Sequence, residues 1–538
     1  MVGFSGTVGL RRLLLSVSLL GFALTAPVGA QDLPGPFAQT VAIAAAEEEA
    51  VAAFYRENGY QTLWTGTSER DVTRRAALFA ALSRAADHAL PTNRYDVTEL
   101  AALLQAAQTE GDRARAEVAL TRAFLAYARD VSSGALEPIK IDPGLVREIA
   151  RPDPALLLAQ MKAGDPAELL RGLVPRAPRY AQLMRAKRAL EDKIATGGWG
   201  PVVRTAGLGP GDSGDAVVAL RDRLVAMGYL GRSATRSFDA SIQAAVQRFQ
   251  LDHGLTGLGS VDERTLAALN ISPEERLKSV IVAMERARWL GDAPLGDRHI
   301  WVNLPDFSAK IIDHGKVTFE TRSVIGKDVL DQHTPEFSDV MDHMVINPSW
   351  GVPRSIIVKE YLPLLQRNPN AVSHLQVIDG RGRVVPRGAV NFARYSARTF
   401  PYGLRQPPSD GNALGKVKFM FPNKYNIYLH DTPAKNLFSH DVRAYSHGCI
   451  RLADPFDFAY ALLALQSDDP QAEFARHLNS GNETRVNLEQ PLPVHLVYFT
   501  AYPGAKGQMT YRDDVYGRDR ILFQALEAAG VAMPALRG

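Results

Sequence analysis

The side chains able to do covalent chemistry crowd into one short window. The only cysteine, Cys449, stands in Ser446-His447-Gly448-Cys449-Ile450-Arg451, and His430 lies nineteen residues before it. Of twelve histidines, His430, His440 and His447 fall within this window. A thiol attacks as the thiolate, which needs a base or a cationic neighbour. An attacked carbonyl needs preorganised N–H donors, and a tight glycine-containing turn supplies them from its backbone. The pattern favours a cysteine nucleophile with a histidine base. Zinc competes, because His430 and His447 with Asp431 or Asp441 are legitimate ligands. Against zinc, the chain has no His-Glu-x-x-His, and Cys449 would need a separate explanation. A papain-like order would put the cysteine before its histidine. His477 and His495 do follow Cys449, but neither sits in a supporting motif. No Walker loop or dinucleotide fingerprint follows a strand.

These residues need elements to hold them. Tyr425 to His430 alternates with period two, which predicts a strand with Tyr428 and His430 on one face and Ile427 and Leu429 on the other. Ile300, Val302 and Leu304 predict an earlier strand, and Val494 to Phe499 a later one before a final helix. Between them, residues 351–415 are rich in Pro, Gly and Arg without periodicity, which reads as a functional lid. Upstream, residues 38–200 are Ala- and Leu-rich with helical spacing. Asp96 with Glu99 forms an N-cap pair ahead of Leu100, Leu103 and Leu104. Glycine clusters at 197–200 and 207–214 bound a compact unit of three short helices, residues 208–271.

The chain has 538 residues, enough for about three domains. At 46% apolar and 22% charged residues it is an ordinary globular composition, not a disordered one. A net charge of +3 excludes strong electrostatic steering to nucleic acid or anionic lipid. One cysteine excludes an intramolecular disulfide framework and Cys-rich metal sites. Arg11-Arg12, the apolar run Leu13–Leu24 and the small residues up to Ala30 predict a secretory signal cut before Gln31, with no stable membrane span afterwards.

The run Tyr428-Leu429-His430-Asp431-Thr432-Pro433, with Ser446-His447-Gly448-Cys449 beginning after the fifteen residues that follow His430, resembles the L,D-transpeptidase catalytic domain (YkuD type). Val324-Ile325-Gly326, Asn347-Pro348-Ser349-Trp350 and Asn412-Ala413-Leu414-Gly415-Lys416-Val417-Lys418-Phe419 carry the resemblance further, toward the large YcbB-like branch. Gly211, Ala245-Val246-Gln247-Arg248-Phe249-Gln250 and His253-Gly254-Leu255 resemble a peptidoglycan-binding-like module. The resemblance implies a multidomain fold: signal peptide 1–30, α-helical scaffold 31–204, a small three-helix peptidoglycan-binding-like domain 205–272, a mainly-β catalytic domain 280–475 with a capping insertion at about 351–415, and a C-terminal extension 476–538.

It also implies roles. Cys449 is the nucleophile and His430 its base, oriented by a backbone carbonyl, that of Asp431. Amides around His447, Gly448 and Cys449 form the oxyanion hole, with His447 shaping the site. Tyr428, Trp350, Ser446, Arg451 and Asp431 line or support the substrate pocket, Arg451 by securing the catalytic loop. No metal and no organic cofactor are implied. The expected partners are peptidoglycan stem peptides, a tetrapeptide donor and a diaminopimelate amine acceptor, together with wall synthases. The expected product is a 3→3 cross-link, made by a monomer in the periplasm at the cell wall, and carbapenems are expected to acylate Cys449. L,D-carboxypeptidase activity, lipoprotein attachment, a zinc-dependent wall peptidase and a non-catalytic wall-binding scaffold stay open.

Overall fold

The computed structural model describes residues 35–505 and 507–533. The expected signal, residues 1–30, lies outside the described residues. Among the described residues no helix is long and apolar enough to cross a membrane.

The N-terminal part is helical, and its axis is the helix Glu110–Ser133. A reciprocal Thr109–Asp112 capping box starts it. Its Leu120, Phe124, Tyr127 and Val131 pack against Leu63, Trp64, Leu78 and Leu82. Glu117 is buried inside this core. Its carboxylate accepts the Leu63 amide at 2.5 Å, the Thr65 amide at 2.8 Å and the Tyr55 hydroxyl at 2.8 Å. A buried carboxylate persists when its oxygens are bonded in this way. Asp96 caps the helix Val97–Ala106 and accepts from the Thr98 and Glu99 amides.

The three predicted short helices are Asp215–Ala226, Ala240–Asp252 and Glu263–Asn270. They share a core of Val217, Leu220, Leu224, Ile242, Phe249 and Leu269. Buried Gln250 closes the Thr256–Gly259 loop, accepting the Gly259 amide and donating to the Ser260 carbonyl, both at 2.8 Å.

The helix Pro273–Leu290 is buried along most of its length, because it runs between the helical part and the β part. Its Arg286 pairs with Glu336 at 2.6 Å and with Asp519 of the last helix, Arg518–Ala529, at 3.2 Å. Such buried pairs add little net stability, yet losing one partner is costly, so they fix the relative placement of the elements.

The β part contains β1 (Arg298–Asn303), β2 (Ser308–Asp313), β3 (Lys316–Gly326), β4 (Phe337–Ile346), β5 (Trp350–Gly351), β6 (Gln376–Ile378), β7 (Val384–Val385), β8 (Gly403–Gln406), β9 (Val417–Met420), β10 (Leu429–His430), β11 (Ala444–Ser446), β12 (Ile450–Leu452) and β13 (Thr484–Val497). Pairing runs β2-β3-β12-β10-β9-β4-β13-β1 and returns to β2, a closed ring with β11 added outside β3. Closure leaves few free sheet edges. Ile300, Ile311, Met344, Phe419, Leu429, Ile450 and Leu496 fill its core.

Two expectations need correction. The strand predicted over Tyr425–His430 is only Leu429–His430. Asn423 breaks the rest: its side-chain Oδ1 accepts the Tyr425 and Ile427 amides, and Asn426 takes a left-handed φ of 55°. The segment 351–415 is not a structureless lid. It has a four-stranded sheet, β5-β8-β6-β7, and its own core of Ile356, Leu365, Val377, Phe392 and Leu404. Strands of two to four residues are too short for their alternation to register. Fully buried Asn412 staples the base of this cap, donating to the carbonyls of Pro348 at 3.1 Å and Pro407 at 3.0 Å.

Candidate active site

Strand register assembles the site. β10 pairs with β12 so that Leu429 faces Ile450 and His430 faces Arg451. Directly paired residues share a face, so His430 and Arg451 stand side by side, and Cys449, two residues before Arg451, emerges on that face as the diagonal neighbour of His430. Tyr428 joins them, its ring centroid 5.7 Å from that of His430. Leu429, Ile450 and Leu452 point into the core.

His430 is 4% exposed. Its Nδ1 lies 2.5 Å from the Asp431 carbonyl. A carbonyl only accepts, so Nδ1 carries the proton and the neutral ring offers Nε2 as a base. Burial, with the Arg451 cation beside it, pushes the imidazole down to about 3. The Asp431 and Leu414 carbonyls oppose that shift by favouring the charged ring. The Asp431 carboxylate faces away, taking the Lys416 amide at 2.8 Å and Lys435 at 2.7 Å. Asp431 therefore orients and does not line the pocket.

Cys449 is half-buried, and burial pushes its thiol up to about 11. The Tyr428 amide, the Tyr428 hydroxyl and the Arg451 charge act the other way, favouring the thiolate. The Trp350 indole in turn favours the ionised form of the Tyr428 hydroxyl. At rest the thiol donates to the Asn426 carbonyl at 3.4 Å, and the structure gives no hydrogen bond between Cys449 and His430. The resting pair is a neutral thiol and a neutral imidazole on one face.

The turn before Cys449 is built by Ser446, whose hydroxyl donates to the Cys449 carbonyl at 2.5 Å and accepts the Gly448 amide at 3.0 Å. Two corrections follow. Ser446, 2% exposed, is a turn residue and not a substrate contact. The Gly448 amide is occupied, which leaves the His447 and Cys449 amides as the available oxyanion donors. Gly448 is required for another reason: its φ is 115°, and a Cβ there would press on Ile427 at 3.1 Å.

Sequence reasoning missed Thr334. It is fully buried, accepts the Gly326 amide at 3.0 Å and donates to the Gly448 carbonyl at 2.7 Å. Arg518 holds the Thr334 carbonyl at 3.1 Å and is itself paired with Asp142 of the helical part at 3.2 Å. The cap also reaches the site: Glu360 meets His447 Nε2 at 2.6 Å, and Lys359 pairs with Asp331. Trp350 belongs to the cap core and is 9% exposed. Among the described residues the Arg451 side chain has no hydrogen-bond partner, its buried Nε included, so it does not secure the loop as expected. The zinc set is not gathered: His447 is on Glu360 and Asp441 on Arg264. Among the described residues no three His, Cys, Asp or Glu side chains converge as metal ligands.

Three family models match the chain: a scaffold domain over residues 49–186, the "Putative peptidoglycan binding domain" over 213–269, and YkuD, the L,D-transpeptidase catalytic domain, over 297–468. A curated relative from Haemophilus influenzae, named "Putative L,D-transpeptidase", is 30% identical over 223 residues, which cover 41% of this chain and 44% of the relative. The match thus spans less than half of that relative's length. Among solved structures, an L,D-transpeptidase fragment from Xylanimonas cellulosilytica matches at 15% identity, covering 55% of this chain and all of its own, with a TM-score of 0.16. The Ldtfm-avibactam carbamoyl enzyme matches at 13% identity, covering 58% of this chain and 98% of its own, with a TM-score of 0.19. At those scores neither likeness bears on the fold.

Proposed function

Because residues 297–468 match the L,D-transpeptidase catalytic domain, we propose that this protein is a periplasmic transpeptidase that forms 3→3 cross-links between peptidoglycan stem peptides through a thioester on Cys449. The observation that carries this reading is the shared face of Cys449 and His430, with His430 Nδ1 committed to the Asp431 carbonyl and Nε2 left to move a proton.

In the reading, Cys449 rotates from Asn426 toward His430, which takes its proton. The thiolate, steadied by the Tyr428 amide and hydroxyl, attacks the carbonyl of the third residue of a tetrapeptide stem. Negative charge forms on that oxygen, facing the His447 and Cys449 amides. The bond to the terminal D-Ala breaks, and His430 returns the proton to the departing amine. The side-chain amine of a second stem then attacks the thioester, loses a proton to His430 and releases the thiolate. Splitting one amide exchange into two thioester steps is what a cysteine nucleophile offers. A cap resting on His447 limits water and favours the amine over hydrolysis. The basic, apolar and small-residue pattern of residues 11–30 supports export, and the match over 213–269 supports retention at the wall.

The direct test is the intact mass of the protein after mixing with a tetrapeptide stem. The reading expects an adduct on Cys449 equal to the stem minus D-Ala, absent in Cys449→Ala. An unmodified protein with intact stems would point instead to a wall-binding scaffold.

A further inference from the structure

The register that sets His430 beside Arg451 also sets it beside Lys418, its partner on β9. Lys418, His430 and Arg451 therefore form one row across three strands, on the face that carries Cys449. The next positions along the row are Val345 and Val324, which bring no charge. Other buried cations are held by an acceptor: Arg223 and Arg276 lack a carboxylate but donate to backbone carbonyls. Arg286 is paired with Glu336, Arg288 with Glu285 and Arg518 with Asp142. Among the described residues neither Arg451 nor Lys418 forms an ion pair or donates a side-chain hydrogen bond; Glu483 acts on Lys418 only from beyond ion-pair distance, and no carboxylate acts on Arg451. Both are partly buried. A cation held out of bulk water without a counter-charge is costly, and folds supply one unless a ligand does. Both charges act on His430, so they bear on the reacting centre.

From this row, and resting on the function proposed above, we infer that Arg451 and Lys418 are a two-point anchor for the free carboxylates of the donor stem. Arg451 sits two residues along β12 from Cys449, roughly 6.6 Å of strand. The carboxylate of the terminal D-Ala lies three bonds beyond the attacked carbonyl carbon, within reach of a guanidinium so placed. Lys418, across His430, faces the second carboxylate, on the far centre of the third residue. A guanidinium matches a carboxylate through two parallel N–H bonds, and an ammonium meets one as a point charge. The anchor explains why a hydrolytic or transfer site keeps two cations beside a histidine that they make less basic.

The test compares stems ending in D-Ala with stems ending in D-alaninamide, using the full mature chain. The wild type should form acyl-enzyme at least tenfold less efficiently from the amide, mostly through KM. Arg451→Gln should lose that preference, the ratio of efficiencies on the two stems falling to near one. Arg451→Lys should recover part of it. Lys418→Met should erase the preference for a free carboxylate at the far centre of the third residue. Protection of wild-type Cys449 from alkylation by the two stems tests the same preference with no variant. Equal losses on both stems in Arg451→Gln, or no wild-type preference, would overturn the anchor and leave the transpeptidase reading standing. A wild type that reacts with neither stem, while its thiol still alkylates, would overturn both.

Discussion

Thr334 and Gly448 are joined by a 2.7 Å hydrogen bond from the threonine hydroxyl to the glycine carbonyl. That carbonyl belongs to the peptide whose amide partner is Cys449, so the bond sets the orientation of the one amide that precedes the nucleophile. Arg518 and Asp142 extend the link to the last helix and the helical scaffold.

Thr334→Val keeps the shape and removes the donor. Leaving the buried Gly448 carbonyl unsatisfied should cost about 1–3 kcal/mol of stability. A misaimed oxyanion donor lowers turnover by roughly 100-fold or more, so kcat should fall well beyond any change in KM. Thr334→Ser should restore most of both. Steady-state kinetics alongside thermal melting check this, and an unaltered kcat in a folded Thr334→Val protein would remove Thr334 from the site's support.

The resting thiol should be protonated at neutral pH. A thiol pushed up to about 11 contributes thiolate only as pH rises toward that value. Alkylation of Cys449 in the free enzyme should climb about tenfold per pH unit between pH 7 and 9 without levelling. A plateau below pH 8 would mean a preformed thiolate–imidazolium pair.

The cap contact between Glu360 and His447 is a half-exposed pair and so a weak one, worth about 0.2–1 kcal/mol. Glu360→Ala should therefore leave folding intact and loosen the cap. The ratio of hydrolysed to cross-linked product should rise by at most roughly fivefold, the factor that energy allows. Product ratios measured by mass at fixed acceptor concentration decide it.

Much of this site was readable from spacing, and the unreadable parts share a cause. The type and order of His430 and Cys449, and the face shared by Tyr428 and His430, follow from local sequence. So do the Asp96 cap and the three helices over 215–270, since caps and helical periods are local signals. Thr334, Arg518 and Asp142 act through contacts made only when distant segments fold together, and no local pattern announces them. The sheet within 351–415 escaped because its strands are shorter than any detectable period. Asn423 escaped because a side-chain-built turn looks, in sequence, like the opening of the strand it interrupts.

Acid should destabilise the fold. Burial holds His430 at about 3, and His88 and His495 at about 4, below the ordinary 6.5. Below pH 6.5 the unfolded chain takes up these protons and the folded one does not, so stability falls as pH drops toward 4. Each contributes a loss on the order of 2 kcal/mol at pH 5. Asp519, raised to about 7, acts oppositely, its contribution being lost as pH rises through 7, but it is one group against three. Melting temperature should decline steadily from pH 7.5 to 5, and less steeply in His430→Asn. A flat profile would contradict the buried, neutral histidines.

The central claim is tested most directly by giving residues 31–538, and their Cys449→Ala variant, purified tetrapeptide-containing muropeptides and reading the products by mass. The account predicts dimers formed with loss of D-Ala, abolished in the variant and unaffected by chelator. Intact tetrapeptides after prolonged incubation with the wild type, or dimers that persist without Cys449, would contradict it.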